Sequence, residues 1–329
     1  MKYLKRFLKA ILQFWKNIAL FLGSVVLFFI FLLLILVRNA SQLSTPEINQ
    51  RVIYKGVPQK IAYVNFSGEI AYQTDDSLWG FSSNQIEPRR VGSVLRSIRG
   101  DKDVEAVVLE INSPGGSVVA SEEVYQQIKQ LAADKLVIAY MSETAASGGY
   151  YIALPAQKIM ASVPTITGSI GVIMESPDLS GLFEKLGVKV QTYQSGEFKD
   201  IGSVNRAATE AEARIFKSII DDAYQLFVKR IAEHRNLSEA EVKKLADGRI
   251  YTGKQAQANG LVDELGTLGE AFLLAQEISQ VSDLSIVEYS YGTSFLSSVL
   301  GVHNLGVLPS SLLELRRGSR PGLHYLWLN

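Results

Sequence analysis

The feature that most constrains this chain is one uninterrupted apolar run. From Ile18 to Val37 twenty residues are apolar or small, with Ser24 the lone exception. Twenty helical residues reach about 30 Å, the thickness of a bilayer core. A run this continuous leaves no polar face for a soluble fold to keep in water. Residues 1–46 hold six basic residues (Lys2, Lys5, Arg6, Lys9, Lys16, Arg38) and no acid, and five of the six precede the run. The positive-inside rule then puts the N-terminus in the cytoplasm and everything after Arg38 across the membrane. A cleaved signal peptide is the competing reading. Its apolar core is usually about 7–15 residues, with small residues at the cleavage site. Val37-Arg38-Asn39-Ala40 offers no clean site. The expectation is an uncleaved single-pass anchor over 18–37. Residues 1–17 mix basic and apolar groups, and two readings stand for them: a short amphipathic helix on the inner surface, or the run-in of the anchor. Residues 38–60 are polar, with Pro46 and Pro58, and read as a linker.

Past residue 46 the chain carries 27 basic against 33 acidic residues, so no broad basic face for nucleic acid is expected. Cysteine is absent, which excludes disulfides, thiolate metal sites and a cysteine nucleophile. The three histidines, His234, His303 and His324, lie far apart and outside any carboxylate cluster. Neither a bound metal nor a cofactor is expected.

After the linker, strand and helix patterns alternate. Strands are expected at 60–66, 104–111, 135–141, 158–162, 171–174 and 188–193. Helices are expected at 91–99, 119–131, 179–186, 209–235, 238–246, 253–259 and 268–278, the fourth and fifth opened by capping boxes, Thr209 with Glu212 and Ser238 with Glu241. Such alternation points to an α/β fold with a mostly parallel sheet over 61–278. From 279 to 329 the tail has little period and reads as irregular.

Three motifs sit where strands give way to turns. Asn112-Ser113-Pro114-Gly115-Gly116-Ser117 places two glycines between a buried strand and a helix. Glycines allow a tight turn, and N–H groups at a helix start can face an oxyanion. An ordinary strand-to-helix turn reads the same way. The Lys-Ser/Thr ending of a phosphate loop is missing. In Thr144-Ala145-Ala146-Ser147-Gly148-Gly149-Tyr150 a serine stands at a strand-to-helix turn, as nucleophile elbows do, although Ala145 replaces the first glycine of Gly-x-Ser-x-Gly. A small-residue packing turn is the other reading. Thr165-Ile166-Thr167-Gly168-Ser169-Ile170-Gly171 is a third tight turn, with a hydroxyl able to orient an amine.

A nucleophilic serine needs a base. No histidine falls in a strand-end loop, and His234, near the end of a charged helix, is expected to face solvent. A Ser-His-Asp triad is poorly supported. Lysine is the remaining option, and it serves as a base where burial or a nearby cation depresses its pKa. Lys199, in the loop Ser195-Gly196-Glu197-Phe198-Lys199-Asp200, is the candidate, with an ordinary solvated surface lysine as the alternative.

These motifs, in this order, resemble the signal peptide peptidase A (SppA) family of membrane-bound serine proteases. Residues 112–117, 145–151, 167–171 and 196–199 carry the likeness, together with Gly248-Arg249-Ile250-Tyr251-Thr252-Gly253-Lys254-Gln255-Ala256 and Gly260-Leu261-Val262-Asp263. The match covers about Ile61 to Ala275, and the chain is similar to the short, single-copy form. The resemblance implies a crotonase/ClpP-like fold, with Ser147 as nucleophile and Lys199 as general base. It implies Gly116 and Gly148 as backbone oxyanion donors, with Ser169 in support. It implies a homo-oligomeric ring in which Ser147 of one subunit meets Lys199 of its neighbour. The bacterial-type cytoplasmic membrane and remnant signal peptides or other apolar peptides follow from the same likeness. Three alternatives stay in view: a general quality-control protease for membrane and exported proteins, a non-catalytic scaffold of the same fold, and a crotonase-like acyl-CoA enzyme.

Overall fold

The computed structural model describes residues 13–18, 20–25, 27–31, 48–72 and 85–291, and the backbone of 324–326. It divides into two units, Met1–Glu47 and Ile48–Asn329. In the first, helix α1 (Gln13–Phe31) is long and apolar enough to cross a membrane, and none of it is buried against protein. It starts five residues before the expected span, so the run-in is helical from Gln13. Residues 32–37 and 1–12 lie outside the described residues.

The second unit is built on a sheet whose order is β1 (Ile48–Tyr54), β12 (Leu284–Tyr291), β2 (Val57–Ser67), β5 (Val104–Ser113), β7 (Leu136–Ala146), β8 (Lys158–Ala161) and β11 (Glu264–Leu265). From β12 to β11 every neighbouring pair is parallel. The central strands are near-continuous apolar runs because both faces are covered. Alternate residues go to opposite layers. Ala62, Val64, Val107, Leu109, Val137 and Ala139 join one core cluster. Ile61, Ala106, Val108, Ile138 and Tyr140 join the other, against Ala271 and Ala275 of α9 (Leu268–Ser279).

The first layer is covered by α2 (Pro88–Gly100), α3 (Val118–Ala132), α4 (Gly148–Ala153) and α6 (Glu210–Arg235). Each helix start has a local cause. Glu87 caps α2 by accepting from the Arg90 N–H at 2.9 Å, with Pro88 in the first turn. Ser117 caps α3. Thr209 with Glu212 opens α6 as a capping box, and Ser238 with Glu241 opens α7 (Glu239–Leu245) in the same way. Helices α5 (Ser180–Lys185) and α8 (Gly253–Ala258) are single short pieces.

Two more strands branch from the main sheet: β9 (Ile166–Gly168) runs parallel to the end of β7, and β10 (Ile250–Thr252) pairs antiparallel with β9. A small second sheet has the order β13 (His324–Leu326), β6 (Gly115–Ser117), β3 (Glu69–Ile70) and β4 (Gln85–Ile86).

The structure differs from the sequence expectation in four places. The expected linker over 38–60 ends at Glu47, because β1 and the start of β2 already belong to the sheet; β1 is an exposed edge strand and shows no apolar period. The tail is not irregular from 279, since β12 inserts between β1 and β2. Its inward residues Leu284, Val287 and Tyr289 are diluted by serines and Glu288, which hid the period. Residues 188–193 form no strand but an exposed stretch, because no partner edge lies beside them in the chain. The expected strand over 171–174 is likewise absent, replaced by β9 just before it. His303 lies outside the described residues.

Candidate active site

Strands β5 and β7 end side by side, Ser113 opposite Ala145, and this brings the first two motifs together. Ser147 follows β7 directly and precedes α4, with φ 53° and ψ −116°. A non-glycine residue there is strained by about 1–3 kcal/mol and needs its surroundings to hold it. Its N–H donates to the Gly168 carbonyl at 2.8 Å, and its carbonyl accepts from the Tyr151 N–H at 2.9 Å. Both flanks are therefore fixed, by β9 on one side and by the first turn of α4 on the other.

Ser169 repeats the arrangement one strand over. It also has positive φ (48°), and its N–H donates to the Arg249 carbonyl at 2.8 Å. The Thr167 hydroxyl donates to the Ala145 carbonyl at 2.6 Å and ties the two strand ends. Ser147 and Ser169 both line one cavity of about 390 Å³. Its lining mixes apolar residues (Ile170, Val172, Ile173, Ile220, Tyr224) with Asp247 and the Lys217–Asp221 ion pair. Ser147 is only 1% exposed.

The glycines around Ser147 are explained by space. Gly148 and Gly149 have no positive φ, so conformation does not require glycine. A Cβ on Gly149 would lie 2.5 Å from the Ser113 carbonyl oxygen. One on Gly148 would lie 2.6 Å from Ser121 Oγ, 3.1 Å from Gly115 Cα and 3.3 Å from the Gly116 nitrogen. Gly116 itself (φ 156°) has no room for a side chain, since a Cβ would come within 2.1 Å of the Ile70 carbonyl oxygen. The two glycines that the sequence singled out are thus near neighbours beside Ser147. Ser121 Oγ is buried there, with no hydrogen-bond partner among the described residues.

Lys199 is not brought to this cavity. It is exposed, in a turn closed by its own N–H to the Gly196 carbonyl at 3.1 Å, and does not line the space in front of Ser147. Among the described residues its side chain has no ion-pair partner. The turn is nevertheless anchored. Asp200 accepts from Arg206 Nε at 3.0 Å and Nη2 at 2.8 Å, and the same guanidinium donates to Glu212 at 2.6 and 2.9 Å. Arg206 holds the Glu212 carboxyl down at about 2, helped by the Thr209 N–H. It also lowers the Asp200 carboxyl below the usual carboxylate range. Sequence reasoning missed Arg206; its only local signal was a basic residue six positions from an acid on either side.

His234 does not face solvent as expected. It is half-buried, with Nε2 2.7 Å from the Tyr125 hydroxyl and its ring edge-on to that tyrosine. Its charged neighbours are also engaged: Glu233 accepts from Arg230 Nη1 at 3.2 Å, and Arg235 donates to Asp263 at 2.9 and 3.0 Å. Burial, with Lys129 nearby, pushes its pKa down. It belongs to a cluster with Tyr151, Glu122 and Arg230 behind α4, away from the residues lining the Ser147 cavity.

Comparisons with known proteins bear on the family and the fold. The profile of Peptidase family S49 matches residues 129–282, and that of Clp protease matches residues 89–167. A protein of Methanocaldococcus jannaschii named as a protease is 37% identical over 265 residues, covering 80% of this chain and 85% of that one. A protein of Enterococcus faecium named for signal peptide peptidase SppA is 39% identical, covering 78% and 74%. A Synechocystis protein named as a protease is 42% identical, covering 65% and 72%. The profile spans the strand–serine–helix junction and the Lys199 turn alike. The chain therefore belongs to peptidase family S49, a serine peptidase related to signal peptide peptidase A on a ClpP-like, mostly parallel α/β fold.

Proposed function

We propose that this protein is a membrane-anchored endopeptidase using a Ser-Lys dyad, with the lysine supplied by a neighbouring subunit of a homo-oligomeric ring. The observation that carries the reading is the split between the two residues. Ser147 is strained, buried and followed by two glycines where it lines a cavity, while Lys199 stands exposed on an anchored turn outside it. A second copy of the chain can bring a lysine to that cavity without altering either element.

In this mechanism Ser147 Oγ attacks the scissile carbonyl carbon as the partner lysine amine takes its proton. The oxygen gains negative charge next to the Gly116 and Gly148 N–H groups, which donate to it. The protonated lysine returns the proton to the leaving amine, and an acyl-enzyme remains on Ser147. Water, deprotonated by the same amine, releases the acid product. Ser169, at the same cavity, orients the amine by hydrogen bonding. The apolar residues lining the cavity and the anchor α1 suit apolar peptides at a bilayer, and cleaved signal peptides are the proposed substrates. The catalytic unit is proposed to sit on the extracytoplasmic side of the cytoplasmic membrane, following the basic excess before α1.

The test is complementation. Full-length Ser147→Ala and Lys199→Ala chains are each assembled alone and then mixed before assembly, with hydrolysis of a synthetic signal peptide followed by mass spectrometry. Random mixing in a head-to-tail ring leaves about one site in four with both groups intact. Recovery near that fraction of wild-type activity is expected. A mixture as silent as its parents would place the base within one chain or on another residue.

A further inference from the structure

Helix α4 follows Ser147 directly and carries Gly148 in its first position. It has 6 residues, all of them buried. A helix that short has no stability of its own and takes its position from what it packs against. Two of its hydroxyls are tied to other elements. Tyr150 Oη donates to the Leu261 carbonyl at 2.8 Å. Tyr151 Oη donates to Glu122 of α3. Tyr151 also donates its own N–H to the Ser147 carbonyl at 2.9 Å. One residue therefore grips Ser147 through its backbone and α3 through its side chain.

Glu122 stands where three helices meet. Its Oε1 accepts from Arg230 Nη2 of α6 at 2.8 Å and from Gln126 Nε2 at 2.7 Å. The fully buried Tyr151 ring is packed on Tyr125 and Phe227, with ring centres 5.2 and 5.0 Å away. Glu122 lies in the second turn of α3, whose cap Ser117 directly follows Gly116. Tyr151 lies in the first turn of α4. At 1.5 Å per residue, each end of the Glu122–Tyr151 bond sits within about 8 Å of its helix start. Apolar burial is non-directional and leaves one helix free to slide on another. A hydrogen bond depends on distance and angle, and so fixes the register.

We infer that Glu122 is a positioning residue for hydrolysis, setting the spacing between the Gly116 and Gly148 N–H groups through Tyr151. The inference rests on the peptidase reading of the Ser147 site. Neither Glu122 nor Tyr151 lines the cavity, so both act through the backbone that they hold. The effect belongs to the transition state, where charge builds on the oxygen facing the two N–H groups. Misplacing a reacting group by about 1 Å costs about 100-fold. Losing the tie is therefore expected to lower kcat about 10- to 100-fold while KM stays within about twofold.

The experiment uses the full-length assembled protein and four variants: Tyr151→Phe, Glu122→Ala, Glu122→Gln and Tyr125→Phe. Tyr151→Phe keeps the ring and removes only the hydroxyl. Glu122→Gln keeps an acceptor for Tyr151. Tyr125→Phe breaks the bond to His234 in the same cluster and leaves the Glu122 tie in place. Each form is assayed on a fluorogenic apolar peptide and titrated with a peptide boronate, which forms a tetrahedral adduct on a nucleophilic serine. Thermal unfolding and hydrogen exchange over residues 113–120 and 145–152 are followed in parallel.

In Tyr151→Phe and Glu122→Ala, kcat and boronate affinity are expected to fall by the same factor, with faster exchange in both segments. Glu122→Gln is expected to stay within about fivefold of wild type in kcat, because the acceptor is kept. Tyr125→Phe is expected to lower Tm yet keep kcat within about threefold. Losses of kcat that follow Tm alike in Tyr125→Phe and Tyr151→Phe would overturn the proposal, and so would a raised KM with boronate affinity unchanged. Faster exchange in Tyr151→Phe, with no hydrolysis and no boronate adduct in any form, would keep the tie between the helices and sink the peptidase reading instead.

Discussion

Gly148→Ala tests the oxyanion assignment by geometry. The added Cβ would meet Ser121 Oγ at 2.6 Å, Gly115 Cα at 3.1 Å and the Gly116 nitrogen at 3.3 Å. The first conflict is with a side chain and is relieved by rotating Ser121. The other two are with backbone, and relaxing them to ordinary contact opens the Gly116–Gly148 spacing by roughly 0.5 Å. Donors to an oxyanion must sit at about 2.7–3.1 Å, so one of the two is lost. Losing one costs about 100- to 1,000-fold in kcat, near 2.7–4 kcal/mol. Stability is expected to suffer less. Overpacking by one methyl costs about 1–3 kcal/mol, and alanine recovers up to about 1 kcal/mol of helix propensity over glycine. A fall in Tm below about 8 °C follows for a unit of this size. Steady-state kinetics and thermal unfolding on the assembled protein separate the two effects. The double variant Gly148→Ala/Ser121→Ala should regain Tm without regaining kcat. A kcat within threefold of wild type, alongside a lowered Tm, would refute the reasoning.

Further outcomes are expected. Arg206→Ala should lower kcat at least tenfold by freeing the Lys199 turn from Glu212 while KM stays near wild type; equal loss in Arg206→Lys and in Arg206→Ala would argue against a positional role. The Glu212 carboxyl is depressed in the folded state to about 2 from an ordinary 4.5. Its stabilising effect is thus complete above pH 4.5 and lost as the pH falls toward 2. Proteolytic nicking at residues 195–206 should rise across that window in wild type and already be high at neutral pH in Arg206→Ala. His234→Gln should keep activity within a few-fold, since His234 is occupied by Tyr125; a loss of several hundred-fold would point to histidine as the base instead of lysine.

What the sequence revealed, and what it hid, divides along physical lines. The parallel strands β2, β5 and β7 are legible because burial on both faces demands continuous apolar runs, and the capped helices because each cap is a local hydrogen-bond pattern. The three turns around Ser147 are legible because close backbone approach admits only glycine or very small residues. Strands β1 and β12 were missed: an edge strand needs no apolar alternation, and its partner lies more than two hundred residues away. Arg206 escaped for the related reason that a guanidinium bridging Asp200 and Glu212 is defined by a folded loop, which no periodicity reports. His234 was misplaced because helix charge suggested exposure, whereas Tyr125, 109 residues distant, receives it.

The positive φ of Ser147 and Ser169 bears on how this chain can drift over generations. At both positions glycine adopts the observed backbone without strain, so folding alone favours a change to glycine at each. Under the proposed mechanism, chemistry is the opposing pressure at Ser147. A lineage released from hydrolysis, and kept only for binding or assembly, would be expected to lose Ser147 to glycine early and to gain thermal resistance as it did so. With Ser147 as the proposed nucleophile, the protein is thus held slightly below its own best stability by the residue its chemistry requires.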